Sequence, residues 1–264
     1  MFDLHSHILP NIDDGAKDMK MSLELLKMAV EHGTKGIVAT PHVIEGDSLP
    51  TWERILTACD DLKKTAKDAG INLPIFPGGE VAIYRDILDL FTGPGQYCIN
   101  SGRYMLVELP ATHIPSFVED FFFTLQTRGI TPILAHPERH PLIAKNPEIL
   151  LEWIRTGILC QMNGTSITGQ MGERVMATAE LLLTNRMIHV IGSDAHRIRT
   201  RNTDLTLAVE KITRLIGTTE THQLLIVNPG HIIHSRDVHI PEISYITSPA
   251  PKGKFMNWLT KLWA

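Results

Sequence analysis

The sequence predicts one α/β domain whose parallel strands close into a barrel. Three observations point there. Short runs of β-forming residues alternate seven times with longer helical patterns, and βα units in series lay their strands parallel. Short right-handed crossovers repeated this often fold a sheet back on itself. The length, 264 residues, is one at which α/β barrels remain undivided.

The first strand is expected over 2–4. A helix follows over 22–32, and Gly33 stops it. The second strand, 36–40, ends at Pro41-His42. Residues 52–69 read as a helix because Trp52, Ile55, Leu56, Cys59 and Leu62 recur at helical spacing, with Gly70 behind them. A third strand, 73–76, runs into Gly78-Gly79-Glu80, and a fourth, 104–107, ends at Glu108. Helix 117–128 is stopped by Gly129, and strand 131–135 delivers His136. Helix 147–156 leads to strand 158–162, which ends at Asn163. Helix 173–183 precedes the seventh strand, 188–191, and Gly192, Ser193 and Asp194 follow it. Helical patterns over 205–216 and 219–227 complete a barrel domain set at residues 1–243.

Pro249 and Pro251 mark 244–253 as a linker. Beyond it Phe255, Trp258, Leu259, Leu262 and Trp263 share one helical face, with Lys252, Lys254 and Lys261 nearby. Residues 244–264 thus read as a linker and short amphipathic tail. Such a tail either docks on its own barrel or a sister subunit, or lies on a membrane surface.

A formal charge of −4 speaks against a broad nucleic-acid-binding surface, and no nucleic-acid partner is expected. Cys59, Cys98 and Cys160 are odd in number and never paired as CxxC, which fits a reducing compartment better than a disulfide framework. No apolar run reaches the length of a membrane span, and no signal peptide is expected, because the proposed ligands begin at His5. The expected location is the cytoplasm, with a peripheral position at the inner face of the membrane if the tail serves as an anchor.

The chemistry lies at the strand ends. His5, His42, Glu80, Glu108, His136 and Asp194 each stand at or just past the C-terminal end of an expected strand. In a barrel those ends meet at one mouth, where active sites of this architecture lie. His5 and His7 alternate along one strand and so face the same side, and His196 follows Asp194 closely. Imidazole nitrogens and carboxylate oxygens gathered in this way suit a multinuclear centre of Mn, Fe, Zn or Co better than Ca, which prefers oxygen alone. His32, His113, His189, His222, His231, His234 and His239 read as structural or exposed. Asp13-Asp14-Gly15 reads equally as a turn with a capping role or as the source of a ligand carboxylate. Arg139, three positions beyond His136, reads as a phosphate-binding guanidinium against the alternative of a surface ion pair with Glu138.

The stretches DLHSHILPNIDDGA, VATPHV, PGGE, VELP, LAHPER and IGSDAH resemble those of the PHP (polymerase and histidinol phosphatase) superfamily. HSHILPxxDDGA and HPER are similar to its branch of bacterial manganese-dependent protein-tyrosine phosphatases, encoded beside capsule and exopolysaccharide tyrosine kinases. The resemblance covers about residues 1–235. It implies a distorted (β/α)7 barrel of the PHP type and three divalent ions, Mn²⁺ foremost, with Fe, Zn, Co and Mg as alternatives. It places His5, His7, Glu80 and Asp194 around one ion. Glu80 bridges to a second, completed by Glu108 and His136, and Asp14, His42 and His196 take the third. It further implies that Arg139 and Arg201 grip the phosphate and that the partner is a tyrosine-phosphorylated protein, the C-terminal tail of a bacterial tyrosine kinase. Asn202-Thr203 stand where many relatives carry two prolines, so Arg197 and Arg199 compete with Arg201.

The chemistry of the residues agrees with phosphate-ester hydrolysis. A phenolate leaving group, with a pKa of about 10, departs with little help from an acid, although His196 or a metal-bound water is a candidate proton donor. A cysteine-dependent tyrosine phosphatase is ruled out: Cys98 and Arg103 enclose only four residues, and Cys59 and Cys160 lack a matching arginine. The competing readings are a PHP phosphatase of a small metabolite such as histidinol phosphate, a polymerase-type PHP exonuclease, and a non-catalytic metal-binding regulator.

Overall fold

The computed structural model describes residues 1–241 and 243. The expected linker and amphipathic tail over 244–264, with its subunit or membrane contact, lies outside them.

Among the described residues, nine strand segments make up seven staves. They are β1 (Phe2–Asp3), β2 (Gly36–Ala39), β3 (His42–Val43), β4 (Ile75–Pro77), β5 (Glu80–Ala82), β6 (Tyr104–Glu108), β7 (Thr131–Ala135), β8 (Leu159–Asn163) and β9 (Val190–Gly192). All pairings are parallel, in the orders β1-β2-β4 and β3-β5-β6-β7-β8-β9. The second and third staves, each expected as one strand, are split. Pro41 has no amide hydrogen for a ladder and separates β2 from β3. Gly78-Gly79 separate β4 from β5, where a Cβ on Gly79 would stand 3.0 Å from Val43 Cγ2. A parallel bridge between Ser6 and Ala195 joins the first stave to the last, through His7 N–H to Ala195 O at 2.9 Å and Asp194 N–H to His5 O at 2.7 Å. The ring is thereby closed.

Period-two alternation sorts the strand residues. Leu4, Val38, Tyr104, Leu106, Ile133, Leu159 and Val190 belong to one buried cluster that fills the barrel and is completed by Ile232 and Ile233 of the last helix. Met105, Val107, Leu134, Cys160, Met162 and Ile191 belong to the larger core shared with the helices. Glu108 continues the inward series of Tyr104 and Leu106, and Gln161 and Asn163 continue that of Leu159. Strand ends thus carry polar side chains into the mouth.

The main helices of the outer layer are α1 (Met19–Glu31), α2 (Trp52–Asp68), α3 (Val118–Thr127), α4 (Pro141–Lys145), α5 (Glu148–Arg155), α6 (Gly164–Thr168), α7 (Glu173–Thr184), α8 (Thr206–His222) and α9 (Asn228–Ile233). Asp18 caps α1 by accepting Met21 N–H at 2.8 Å, and Thr51 caps α2 through Arg54 N–H at 3.2 Å. Between β5 and β6 the crossover contains two 3-10 turns and no α-helix. The two helical stretches expected after residue 204 run on as α8 and a π-turn, Gln223–Val227, with a kink at Gly217 (φ +83°).

Candidate metal centre

The barrel mouth gathers every expected ligand residue. His5 Nε2 lies 3.1 Å from His7 Nε2, 3.2 Å from Glu80 Oε2 and 3.6 Å from Asp194 Oδ1. His7 Nε2 lies 3.3 Å from Glu80 Oε2 and 3.5 Å from Asp194 Oδ1. On the other side of Glu80, His136 Nε2 approaches Oε1 at 3.0 Å and Glu108 Oε1 at 3.4 Å, while His42 Nδ1 approaches Oε2 at 3.1 Å. Asp14 Oδ1 stands 3.5 Å from His42 Nε2 and 3.2 Å from His196 Nε2. Ligand atoms that share one ion at about 2.1 Å each sit about 3–4 Å apart, which is the spacing found here.

Hydrogen bonds behind the ligands orient them. Asp194 Oδ2 accepts from Asn163 Nδ2 at 2.6 Å, and Asn163 Oδ1 accepts from Gln161 Nε2 at 2.9 Å. Gln161 must then turn Oε1 toward His5 Nδ1, 2.9 Å away, so His5 donates there and presents the Nε2 lone pair to the mouth. His7 Nδ1 donates to Asp13 Oδ2 at 2.7 Å. Asp13 also accepts from the backbone N–H groups of His42 (2.9 Å) and Gly15 (3.0 Å). His196 Nδ1 faces the Asp194 carbonyl at 2.9 Å, which again leaves Nε2 toward the centre.

These lone pairs and carboxylates converge on one another, an arrangement stable only with positive charge between them. His42 Nδ1, Glu80 Oε2 and His196 Nε2 are buried and have no hydrogen-bond partner. Such orphaned acceptors in a mixed N/O donor set fit divalent metal ions. In the metal-free chain, protons take that place. Burial alone would lower His7, but the hydrogen bond and charge of Asp13 and the charge of Glu80 raise it to about 10. Burial would raise Glu80, yet His5, His136 and His42 hold it well below the ordinary carboxylate range. Asp194 is likewise held down, by His5, His136 and His7 against burial. Burial and the charge of His7 push His196 down to about 3, which suits a neutral ligand better than an acid.

Local backbone explains the aim of two ligands. His136 (φ +31°), the residue after β7, and Asp194 (φ +53°), two residues after β9, both adopt left-handed conformations that turn their side chains across the mouth. Close packing holds the centre from behind. A Cβ on Gly192 would lie 2.6 Å from His5 Cβ, and one on Gly15 would lie 2.2 Å from the His7 carbonyl oxygen.

Two guanidinium groups border the centre. Arg139 Nη1 lies 3.0 Å, and Arg201 Nη2 2.5 Å, from Asp194 Oδ2, and both side chains remain about 30% exposed (29% and 30%). The turn over 196–201 is closed by His196 and Arg197 N–H donating to the Arg201 carbonyl, each at 2.8 Å. It brings Arg201 back to the mouth and leaves Arg199 exposed. Arg197 Nη1 is spent on the carbonyls of Asp14, Gly15 and His196. Glu138 is buried and accepts Asn163 N–H at 3.0 Å, so the alternative of a surface ion pair with Arg139 does not hold. Sequence reasoning passed over Gln161, Asn163 and the orienting role of Asp13. The position of Asn163 at a strand end was the available signal.

The family described as capsular polysaccharide synthesis, CpsB/CapC, matches residues 1–234. The tyrosine-protein phosphatase YwqE of Bacillus subtilis is 34% identical over 234 residues, 86% of this chain and 92% of its own. The tyrosine-protein phosphatase CpsB of Streptococcus pneumoniae is 27% identical over 238 residues, 88% of this chain and 98% of its own. A solved chain from the work on YwqE from B. subtilis and CpsB from S. pneumoniae, described as unique metal-dependent tyrosine phosphatases, superposes with a TM-score of 0.88. It is 31% identical and covers 94% of this chain and 100% of its own. The lactonase Lmo2620 from Listeria monocytogenes shares the fold alone, with a TM-score of 0.52, 12% identity and coverage of 91% of this chain and 95% of its own. The match over residues 1–234 takes in every expected ligand residue and both Arg139 and Arg201, and the chain belongs to the CpsB/CapC family of capsular polysaccharide synthesis.

Proposed function

We propose that this chain is a metal-dependent protein-tyrosine phosphatase acting in capsule or exopolysaccharide synthesis. The observation that carries the proposal is the convergence of buried lone pairs and carboxylates beside two partly exposed guanidinium groups. Three divalent ions, Mn²⁺ foremost, suit the donor set. His5, His7, Glu80 and Asp194 would hold one, Glu80, Glu108 and His136 a second, and Asp14, His42 and His196 a third. When bound, such ions supply neutralising charge and a water acidic enough to yield hydroxide at neutral pH.

The chain's own residues do the rest. Arg139 and Arg201, now on Asp194, would turn to the phosphate oxygens and hold the ester in line. Asp13 fixes the His7 ring, and the Asn163–Gln161 pair fixes His5. His196, held neutral, serves as a ligand, and the phenolate departs with little acid assistance because its pKa is already near about 10. The substrate would be a tyrosine-phosphorylated protein, the C-terminal tail of a bacterial tyrosine kinase. The reaction would run in the cytoplasm, a compartment in keeping with three buried, unpaired cysteines.

The test is hydrolysis of p-nitrophenyl phosphate with Mn²⁺, with and without chelator, followed by kinetics on a phosphotyrosine tail peptide and on histidinol phosphate. Metal dependence with preference for the peptide is expected. A preference for histidinol phosphate would replace the protein substrate with a small metabolite. Arg139→Ala is expected to lower kcat/KM by about 10²–10³, the usual cost of removing one charge-stabilising donor. Wild-type rates in that variant would remove Arg139 from the site.

A further inference from the structure

On the opposite face of the barrel, below the start of β9, lies a cavity of about 580 Å³. Leu183, Ile188, Leu215, Ile216 and Leu224 give it an apolar wall, and its size falls in the range that holds small organic ligands. His189 lines it and is 1% exposed. Nearly every polar atom of this residue is engaged. Its backbone N–H donates to Cys160 O at 2.9 Å, and its carbonyl accepts from Asn228 Nδ2 at 2.8 Å. Its Nδ1 accepts Cys160 N–H at 3.0 Å, which fixes the tautomer and places the ring proton on Nε2. That Nε2–H is buried and has no hydrogen-bond partner.

Asn228, the other buried polar side chain of the lining, is already satisfied, since its Oδ1 accepts from Gln223 Nε2 at 2.7 Å. Arg186, His239 and Glu220 also line the cavity and are exposed. Their charges are of both signs, so the lining selects no particular net charge. An N–H donor buried without an acceptor is unfavourable, and a guest oxygen relieves it. We propose that this cavity is a second binding site, distinct from the metal mouth, for a small, mainly apolar molecule ending in an oxygen acceptor that takes the His189 Nε2 proton in a hydrogen bond. Burial holds the imidazole down to about 4, so it stays neutral and keeps one proton to donate at physiological pH.

The experiment uses the full chain labelled with ¹⁵N-histidine and follows the His189 Nε2 resonance. The probes are 4-phenylbutyrate and 4-phenylbutanamide, which carry the acceptor, and butylbenzene, which does not. A saturable shift with the first two is expected, with butylbenzene binding about tenfold more weakly, as an unmet donor predicts. Leu215→Trp, which fills the cavity, should abolish the shift and leave p-nitrophenyl phosphate turnover unchanged. Leu224→Phe replaces it if that variant does not fold. No saturable shift overturns the site, and equal binding of butylbenzene overturns the acceptor chemistry. A shift that survives the filled cavity places binding elsewhere. An Nε2 resonance already hydrogen-bonded without probe, and unmoved by it, assigns the cavity to the chain's own residues and also refutes the proposal.

Discussion

Removing the metal should leave a protein that weakens as the solution becomes more alkaline. His7 is the reason. In the metal-free chain its ring sits between Asp13, 2.7 Å from Nδ1, and Glu80, 3.3 Å from Nε2, and is raised from 6.5 to about 10. A group whose folded pKa lies above its unfolded value contributes stability that is complete below 6.5 and lost as pH rises through about 10. That interval, at about 1.4 kcal/mol per pH unit, makes the contribution roughly 5 kcal/mol, with the partners Asp13 and Glu80 sharing in it. The same proton must leave before a metal can take Nε2, so Mn²⁺ affinity should climb across the same window. Urea unfolding of the chelated protein from pH 6.5 to 9.5 measures the first effect. Titration calorimetry of Mn²⁺ in buffers of different ionisation enthalpy counts the protons released. Asp13→Asn removes the larger partner, and should flatten the pH dependence and weaken Mn²⁺ by about 10–100-fold. A chelated wild type of constant stability over this range, or metal uptake without proton release, would refute the reasoning.

Gly192→Ala should cost about tenfold or more in Mn²⁺ affinity, because its Cβ would displace His5, with calorimetry as the check and unchanged affinity as the contrary result. Thiol alkylation should leave turnover intact, since Cys59, Cys98 and Cys160 are buried and burial raises their thiols, Cys59 to about 12 and Cys98 to about 11. Inactivation by iodoacetamide under native conditions would contradict this. His189 is lowered to about 4, so its contribution is complete above 6.5 and falls as pH drops through 6.5 toward 4, by roughly 3 kcal/mol. Comparing acid unfolding of the wild type and His189→Asn, whose amide oxygen can still receive Cys160 N–H, should show a shallower loss in the variant.

Much of the barrel could be read from the chain because strand-end ligands repeat a single relation, a run of β-formers and then an imidazole or carboxylate. His136 after β7 and Asp194 after β9 obey it without exception. The split staves could not be read this way, since a proline or glycine pair inside an apolar run looks the same whether it ends a strand or interrupts it. Asp13 and Asp14 were indistinguishable for a similar reason. Only the loop's path decides that one carboxylate turns under His7 and the other outward to His42 and His196. Gln161 carries no signal at all, because its role is defined by partners at His5 and Asn163 that the fold supplies. The arginines were separable only once the turn over 196–201 was known to double back.

The bridge between Ser6 and Ala195 has a consequence for biosynthesis. It sets His5 and His7, from the first stave, next to Asp194 and His196, from the last, so the two pairs are separated in synthesis by nearly the whole barrel. A nascent polypeptide holds half a chelate until its last stave arrives, and a cation captured then spans the seam like a clasp. Metal loading should therefore be a late event that also locks the two ends of the barrel together, and starvation for the ion should show itself first as fraying along that seam.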